Sequence, residues 1–144
     1  MKPILKLAAI IILFSSADLM SQNDTINWGR NSRYNKMYDA KTFTQIKGEI
    51  TAIEQIVPNK GTSVGIHITV KTKTETYPIH LGPKWYLDKQ KLQLKVGDKV
   101  EVQGSKVNID SKQTIIATEV LRDDNTLILR DQAGKPLWLG KRNH

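Results

Sequence analysis

The sequence predicts an all-β domain, a small closed barrel with one short helix between its third and fourth strands. Three observations carry that prediction. Thr42 to Val57, "TFTQIKGEITAIEQIV", is one long run rich in β-branched residues whose apolar phase changes midway. Ser63 to Thr72 and Thr76 to Leu81 alternate apolar and polar residues and pair well as a hairpin. "HLGPKWYLDKQ", residues 80–90, then interrupts the strand pattern with helix-compatible residues.

Each element has its own reason. In the first strand Ile46, Gly48 and Ile50 fall on one face and Ile53 falls out of phase, which predicts a bulge or sharp bend. Gly48 removes a side chain where such a strand must curl over its own sheet. Pro58-Asn59-Lys60-Gly61 is a turn. In the hairpin, closed by "TKTE", partners whose numbers sum to 147 put Ile66 beside Leu81, Ile68 beside Ile79 and Val70 beside Tyr77. Every apolar residue then meets an apolar partner, which favours that register.

Gly82 and Pro83 suit a helix start, because a proline at the first helical position loses no hydrogen bond. A helix of about two turns over Lys84 to Gln90 cannot stand alone in water. Trp85 and Leu87 are its expected anchors, plugging one end of the barrel. Further strands follow at Lys91 to Leu94, at Val100 to Ile109 with a bend at Gly104-Ser105, and at "QTIIATEVL". Asp110-Ser111-Lys112 and Asp123-Asp124-Asn125 are turns, and "TLILR" with "LWL" forms a last hairpin around "DQAGKP". A bent first strand, two hairpins and a helix between the third and fourth strands is the order of an OB-fold-like five-stranded barrel. A generic β-sandwich would not need the helix.

The ends of the chain read differently. Lys2 and Lys6, the apolar run "LAAIIILF" and the small residues Ser15-Ser16-Ala17 have the form of a secretory signal peptide over residues 1–17. The run is far shorter than the roughly 18 to 20 residues that a membrane span needs. Residues 18–40 are a polar leader, but Trp28, Tyr34, Met37 and Tyr38 are too apolar for a free tail and are expected to lie against the barrel domain, residues 41–140, with a helical turn near Tyr34 to Tyr38. The closing "GKRNH" is expected to fray. The expected location is periplasmic or secreted, with no stable membrane span after cleavage.

The formal net charge is +8, and loss of Lys2 and Lys6 leaves +6. That balance attracts anions, and export favours lipid headgroups and envelope glycans over nucleic acid. The absence of cysteine excludes disulfides, thiolate metal sites, thiol catalysis and lipoprotein attachment.

Few constellations carry chemistry. His67 and His80 stand opposite each other in the hairpin, on the face away from Ile66, Ile68, Ile79 and Leu81. Cross-strand imidazoles at such spacing can share a metal, with Asp88 or Glu54 as candidate third ligands. The plainer reading is two exposed histidines on a polar face. The helix start beside His80 and Lys84 suits an anionic group. With Trp85 and Tyr86 these form the candidate ligand-binding set, and the competing reading is a helix end satisfied within its own barrel. Asp123, Asp124 and Asp131 are turn residues at spacings that match no calcium loop. Strand aromatics for base stacking are few, since only Phe43 and Tyr77 precede the helix, so nucleic acid is disfavoured. No GxSxG, HExxH or phosphate-cradling glycine run occurs, so no enzyme, catalytic residue or cofactor is expected.

"WGRNSRYNKMYDAKTFTQIKGEI", "HLGPKWYLDKQ", "GDKVEVQGSKV" and "LILRDQAGKPLWLG" resemble a group of small exported bacterial proteins without assigned activity, similar in outline to the bacterial OB-fold proteins of the periplasm. The resemblance runs from Trp28 to Leu139, and "LGPKWYL" and "LRDQAGKPLW" are its most specific pieces. It implies an OB-like barrel in the envelope and a non-catalytic binding role. The expected partner is a small or anionic ligand or an envelope protein.

Overall fold

A computed structural model describes Trp28, residues 32–57 and residues 63–139. The predicted signal peptide, the first part of the leader, the Pro58–Gly61 turn and the last five residues lie outside the described residues.

Helix α1, Arg33–Met37, and a 3-10 turn, Ala40–Thr42, precede the barrel. The strands are β1 Phe43–Ile56, β2 Gly65–Lys71, β3 Thr76–Pro83, β4 Lys99–Ile109, β5 Lys112–Arg122 and β6 Asn125–Ile128, with helix α2, Lys84–Leu87, after β3. Neighbours run β3-β2-β1-β4-β5-β6, and a parallel pairing of β3 with β5 closes the first five into a barrel. The chain therefore forms the five-stranded barrel, with a short helix between its third and fourth strands, that the sequence predicts.

β1 serves two partners. Its first half, Phe43 to Glu49, pairs with β4, and its second half, Glu49 to Ile56, pairs with β2 across a bulge between Ile50 and Ala52. The phase change in the sequence is this bulge. At Gly48 a Cβ would run into the Lys71 carbonyl and a Val70 methyl, so only glycine lets β1 fold over the end of β2. Gly104 does the same for β4 against the Ile116 carbonyl. Inside lie Ile50, Ile68, Val70, Ile79, Leu81, Val102, Ile115 and Val120, all buried.

The β2–β3 hairpin takes the predicted register at His67–His80, Ile68–Ile79 and Val70–Tyr77. A bulge between Ile66 and His67 then shifts Ile66 onto Gly82, not Leu81. At the other end Thr72 Oγ1 accepts from the backbone N–H groups of Thr74 and Glu75, closing the turn.

Three further expectations are corrected. Gly82 and Pro83 end β3, and α2 covers only Lys84–Leu87, not Lys84 to Gln90. Lys91 to Leu94 is not a strand, because both edges of β1 are already taken by β2 and β4. The side chains of Gln90 and Gln93 instead donate to the Tyr86 and Leu87 carbonyls, which also accept from the Lys89 and Gln90 N–H groups at the end of α2. "LWL" makes no ladder: β6 is followed by one bridge, Arg130–Pro136. Pro136 has no N–H to extend it.

Candidate functional site

The outer face of the barrel carries a row of cross-strand neighbours: Glu54 on β1, His67 on β2, His80 on β3, Ile116 on β5 and Ser105 on β4. Alternation points these side chains away from the core, as the sequence predicts for the two histidines. They do not all meet water. His80 is 9% exposed, and Ile116 and Ser105 are fully buried. The cover is the segment before β1. Tyr34 of α1 sets its ring edge on His80 with centroids 5.2 Å apart, and its hydroxyl lies 3.3 Å from His67 Nε2. Farther along, the Asp39 N–H and the Thr42 hydroxyl meet Ser105 Oγ at 3.0 and 2.9 Å. The reading of two exposed histidines is thus overturned by the leader, which lies over them.

Beneath Tyr34 the imidazoles of His67 and His80 stack face to face, 3.6 Å between centroids and 7° between planes. Burial pushes the His67 pKa down from 6.5 to about 4, so His67 is neutral at physiological pH. Nitrogen lone pairs lie in the ring planes, so parallel rings aim them side by side and not at one point. A shared metal would require the rings to turn apart. Among the described residues no group of three His, Cys, Asp or Glu side chains gathers at metal-binding distance. Glu54 is the cross-strand neighbour of His67 but is exposed, and Asp88 pairs with Lys84 on α2.

The rings continue from Tyr34 without a gap. Trp28 stacks on Tyr34 at 4.9 Å, Trp138 meets Trp28 edge-on at 6.1 Å, Tyr86 tilts against Trp138 at 5.4 Å, and Trp85 meets Tyr86 at 6.2 Å. Arg130 is 3% exposed and lies over the Trp138 ring. It donates to the Asn35 side-chain oxygen and the Gly134 carbonyl, and burial lowers its pKa to about 10. Both ends of the described chain are thereby joined on the outside of β2 and β3.

The four candidate ligand-binding residues divide between two places. His80 belongs to the covered stack. Lys84, Trp85 and Tyr86 lie on α2 at the barrel end. Trp85 does not plug the barrel: it is 44% exposed, with Lys89 Nζ 5.5 Å from its ring centre. The plug is Leu92, 6% exposed, helped by the partly buried Leu87 and Leu94. Sequence reasoning missed Leu92 because it read as part of a strand. The backbone N–H of Lys84 donates to the Val64 carbonyl at 2.7 Å, so the residue before β2 satisfies the first N–H of the helix. Lys84 Nζ pairs with Asp88 at 2.7 Å. From Lys84 to Lys95 the chain carries four lysines and one aspartate. Beside α2 an apolar crevice of 180 Å³ opens between Ile53, Leu87, Leu92 and Leu94, with Lys84 and Asp88 among its lining residues.

A larger open groove lies at the Gly48 bend. Lys47, Lys71, Lys73 and Lys99 face Glu49, Glu101 and Asp123 there, so its charge is nearly balanced.

The sequence profile of the MamS/MamX magnetosome protein family matches residues 42–127. The chain belongs to this family. The matched stretch begins at the 3-10 turn before β1 and ends within β6, so it spans every strand of the MamS/MamX barrel. Trp28, α1 and the Arg130–Trp138 segment lie beyond it. The family shown is a magnetosome protein family, and the comparison gives no support to the expected kinship with periplasmic OB-fold proteins. No curated protein matches the chain. Among the described residues no helix is long and apolar enough to cross a membrane.

Proposed function

We propose that this MamS/MamX-family barrel is an exported, non-catalytic binding module of the magnetosome or cell envelope. It engages an anionic partner through the barrel end stoppered by α2. The observation that carries this reading is Trp85. Its ring stays 44% exposed and faces Lys89, in a stretch of four lysines and one aspartate. Interface hot spots are enriched in tryptophan, and neighbouring cations steer an anion toward it. Tyr86 supports the surface from below, donating its hydroxyl to the Ile128 carbonyl at 3.0 Å beside the exposed Ile128 side chain. The 180 Å³ crevice next to α2 could take a small apolar part of the partner.

Binding to phosphatidylglycerol vesicles and to inorganic polyphosphate tests the proposal. Trp85→Ala combined with Lys89→Ala is expected to weaken binding about tenfold or more, the scale of one lost hot spot. Thermal stability should be unchanged. Equal binding by the double variant, or no binding to either anion, would remove the reading.

A further inference from the structure

The barrel end that carries α2 gathers most of the exposed apolar side chains. Among the described residues six large hydrophobics are exposed: Phe43, Ile53, Val57, Trp85, Val96 and Ile128. Four of them belong to this end. Ile53 lines the crevice together with Leu87 of α2. Val57, 74% exposed, directly follows β1, and the pairings Ile56–Gly65 and Gly65–Pro83 set it beside the start of α2. Alternation along the strand keeps Ile53, Gln55 and Val57 on one face, the face of the crevice. Trp85 stands on α2 itself, and the Tyr86 hydroxyl ties Ile128 to that helix.

The core does not need these side chains, because Leu92 already stoppers the barrel. One exposed apolar residue is ordinary, but a rim of them around a crevice marks a contact surface. The charges decide what it contacts. Lys89 and Lys91 are exposed and stand outside the two ion pairs of the described residues, Lys84–Asp88 and Arg122–Asp98. Of the nearby acids, Asp88 is neutralised by Lys84, and Glu54 lies on the opposite face of β1 from Ile53.

A soluble polyanion would engage the lysines and leave Val57, Ile53 and Ile128 in water. The surface of an anionic bilayer satisfies both kinds of side chain. Its headgroup phosphates meet the ammonium groups, and its boundary with the acyl chains takes apolar tips and is the depth at which tryptophan settles. Building on the anionic-partner reading of this end, we infer that the α2 end docks on an anionic lipid bilayer. Trp85, Ile53, Val57 and Ile128 dip into the headgroup boundary, and Lys89 and Lys91 sit on the phosphates. The contact is peripheral and reversible, since only side-chain tips enter. Each lysine at the surface strengthens it about fivefold, and salt weakens that share.

Tryptophan quenching tests the docking. The protein has three tryptophans, and Trp28 and Trp138 are each 7% exposed. Lipids brominated high on their acyl chains therefore report on Trp85. The mature chain is titrated with vesicles of phosphatidylcholine and phosphatidylglycerol in equal parts and, separately, with inorganic polyphosphate. Binding to the vesicles is expected, with quenching that disappears in Trp85→Phe. Val57→Ser, a change at an exposed position that leaves the net charge as it is, should weaken vesicle binding about fivefold and leave polyphosphate binding as it was. Polyphosphate binding without vesicle binding would overturn the docking while the anionic-partner reading stands. So would vesicle binding with Trp85 unquenched, or vesicle binding undiminished by Val57→Ser. Failure to bind either anion would end both.

Discussion

Trp138 donates its indole N–H to the main-chain oxygen of Trp28, 3.0 Å away and 110 residues earlier in the chain. The two rings also meet edge-on, and Trp138 is 7% exposed. Trp138→Phe keeps an aromatic ring but leaves the Trp28 carbonyl without this donor, a loss worth about 1–3 kcal/mol. For a domain of this size that lowers the melting temperature by about 4 to 12 °C, measured by circular dichroism. The same variant should speed proteolytic cleavage before β1.

The stopper of the barrel is an aliphatic residue, and the exposed tryptophan above it is dispensable for folding. Leu92→Ala should cost about 2–5 kcal/mol, as expected for a large buried side chain removed from a core. Trp85→Ala should change stability by about 0.5 kcal/mol or less. Paired urea denaturation curves check both. A larger loss from Trp85→Ala than from Leu92→Ala would mean that the ring, not the leucine, closes the barrel.

At Gly48 the first strand passes so close to the end of β2 that a methyl group would overlap the Lys71 carbonyl. Backbone cannot retreat there without breaking the Glu49–Lys71 pairing. Gly48→Ala is expected to cost about 3 kcal/mol or more, or to prevent folding. Gly97→Ala sits in open space but at φ +97, so its milder loss would come from backbone strain alone. Expression and denaturation of the two variants side by side separate overlap from strain.

Arg122 holds the loop that leads into β4. Its guanidinium donates to Asp98 Oδ2 and to the Gln93 carbonyl, both at 2.9 Å. The hydrogen bond from Arg122, and then that from the Lys95 N–H, keep the Asp98 pKa below the ordinary carboxylate value of 3.8. A lowered acid pKa stabilises the fold above 3.8, and that contribution is lost as pH falls below it. Asp98→Asn should therefore lower the melting temperature slightly at pH 7, by the equivalent of about 1 kcal/mol or less for a partly solvated pair. The gap from the unaltered protein should narrow in acid as Asp98 itself becomes protonated.

The alternation of Ile66, Ile68 and Val70 against Tyr77, Ile79 and Leu81 fixed the central hairpin, because a one-residue slip would turn every apolar side chain outward. The bulge that moves Ile66 to Gly82 was not legible. Where a strand bulges depends on how the whole barrel closes, and that closure is not encoded in the hairpin. Trp85 was misplaced for a geometric reason. Neighbouring helical residues project about 100° apart, so Trp85, Tyr86 and Leu87 cannot all face inward. Composition favours the largest ring, whereas the barrel end has room for leucines. Alternation correctly set His67 and His80 facing away from the core, but it says nothing about what lies on top of them. The cover comes from Tyr34, which precedes His67 by 33 residues, and such contacts leave no periodic trace.

The barrel closes where β3 meets β5, along just two residue pairs, Ile79–Ile115 and His80–Ile116. A short parallel seam is the natural first point of unzipping in any cylinder of strands. Because His80 is both the seat of the leader and a stitch in that seam, whatever unsettles its ring reaches the hinge of the whole architecture. Heat that parts this seam would therefore loosen the cover at the same residue.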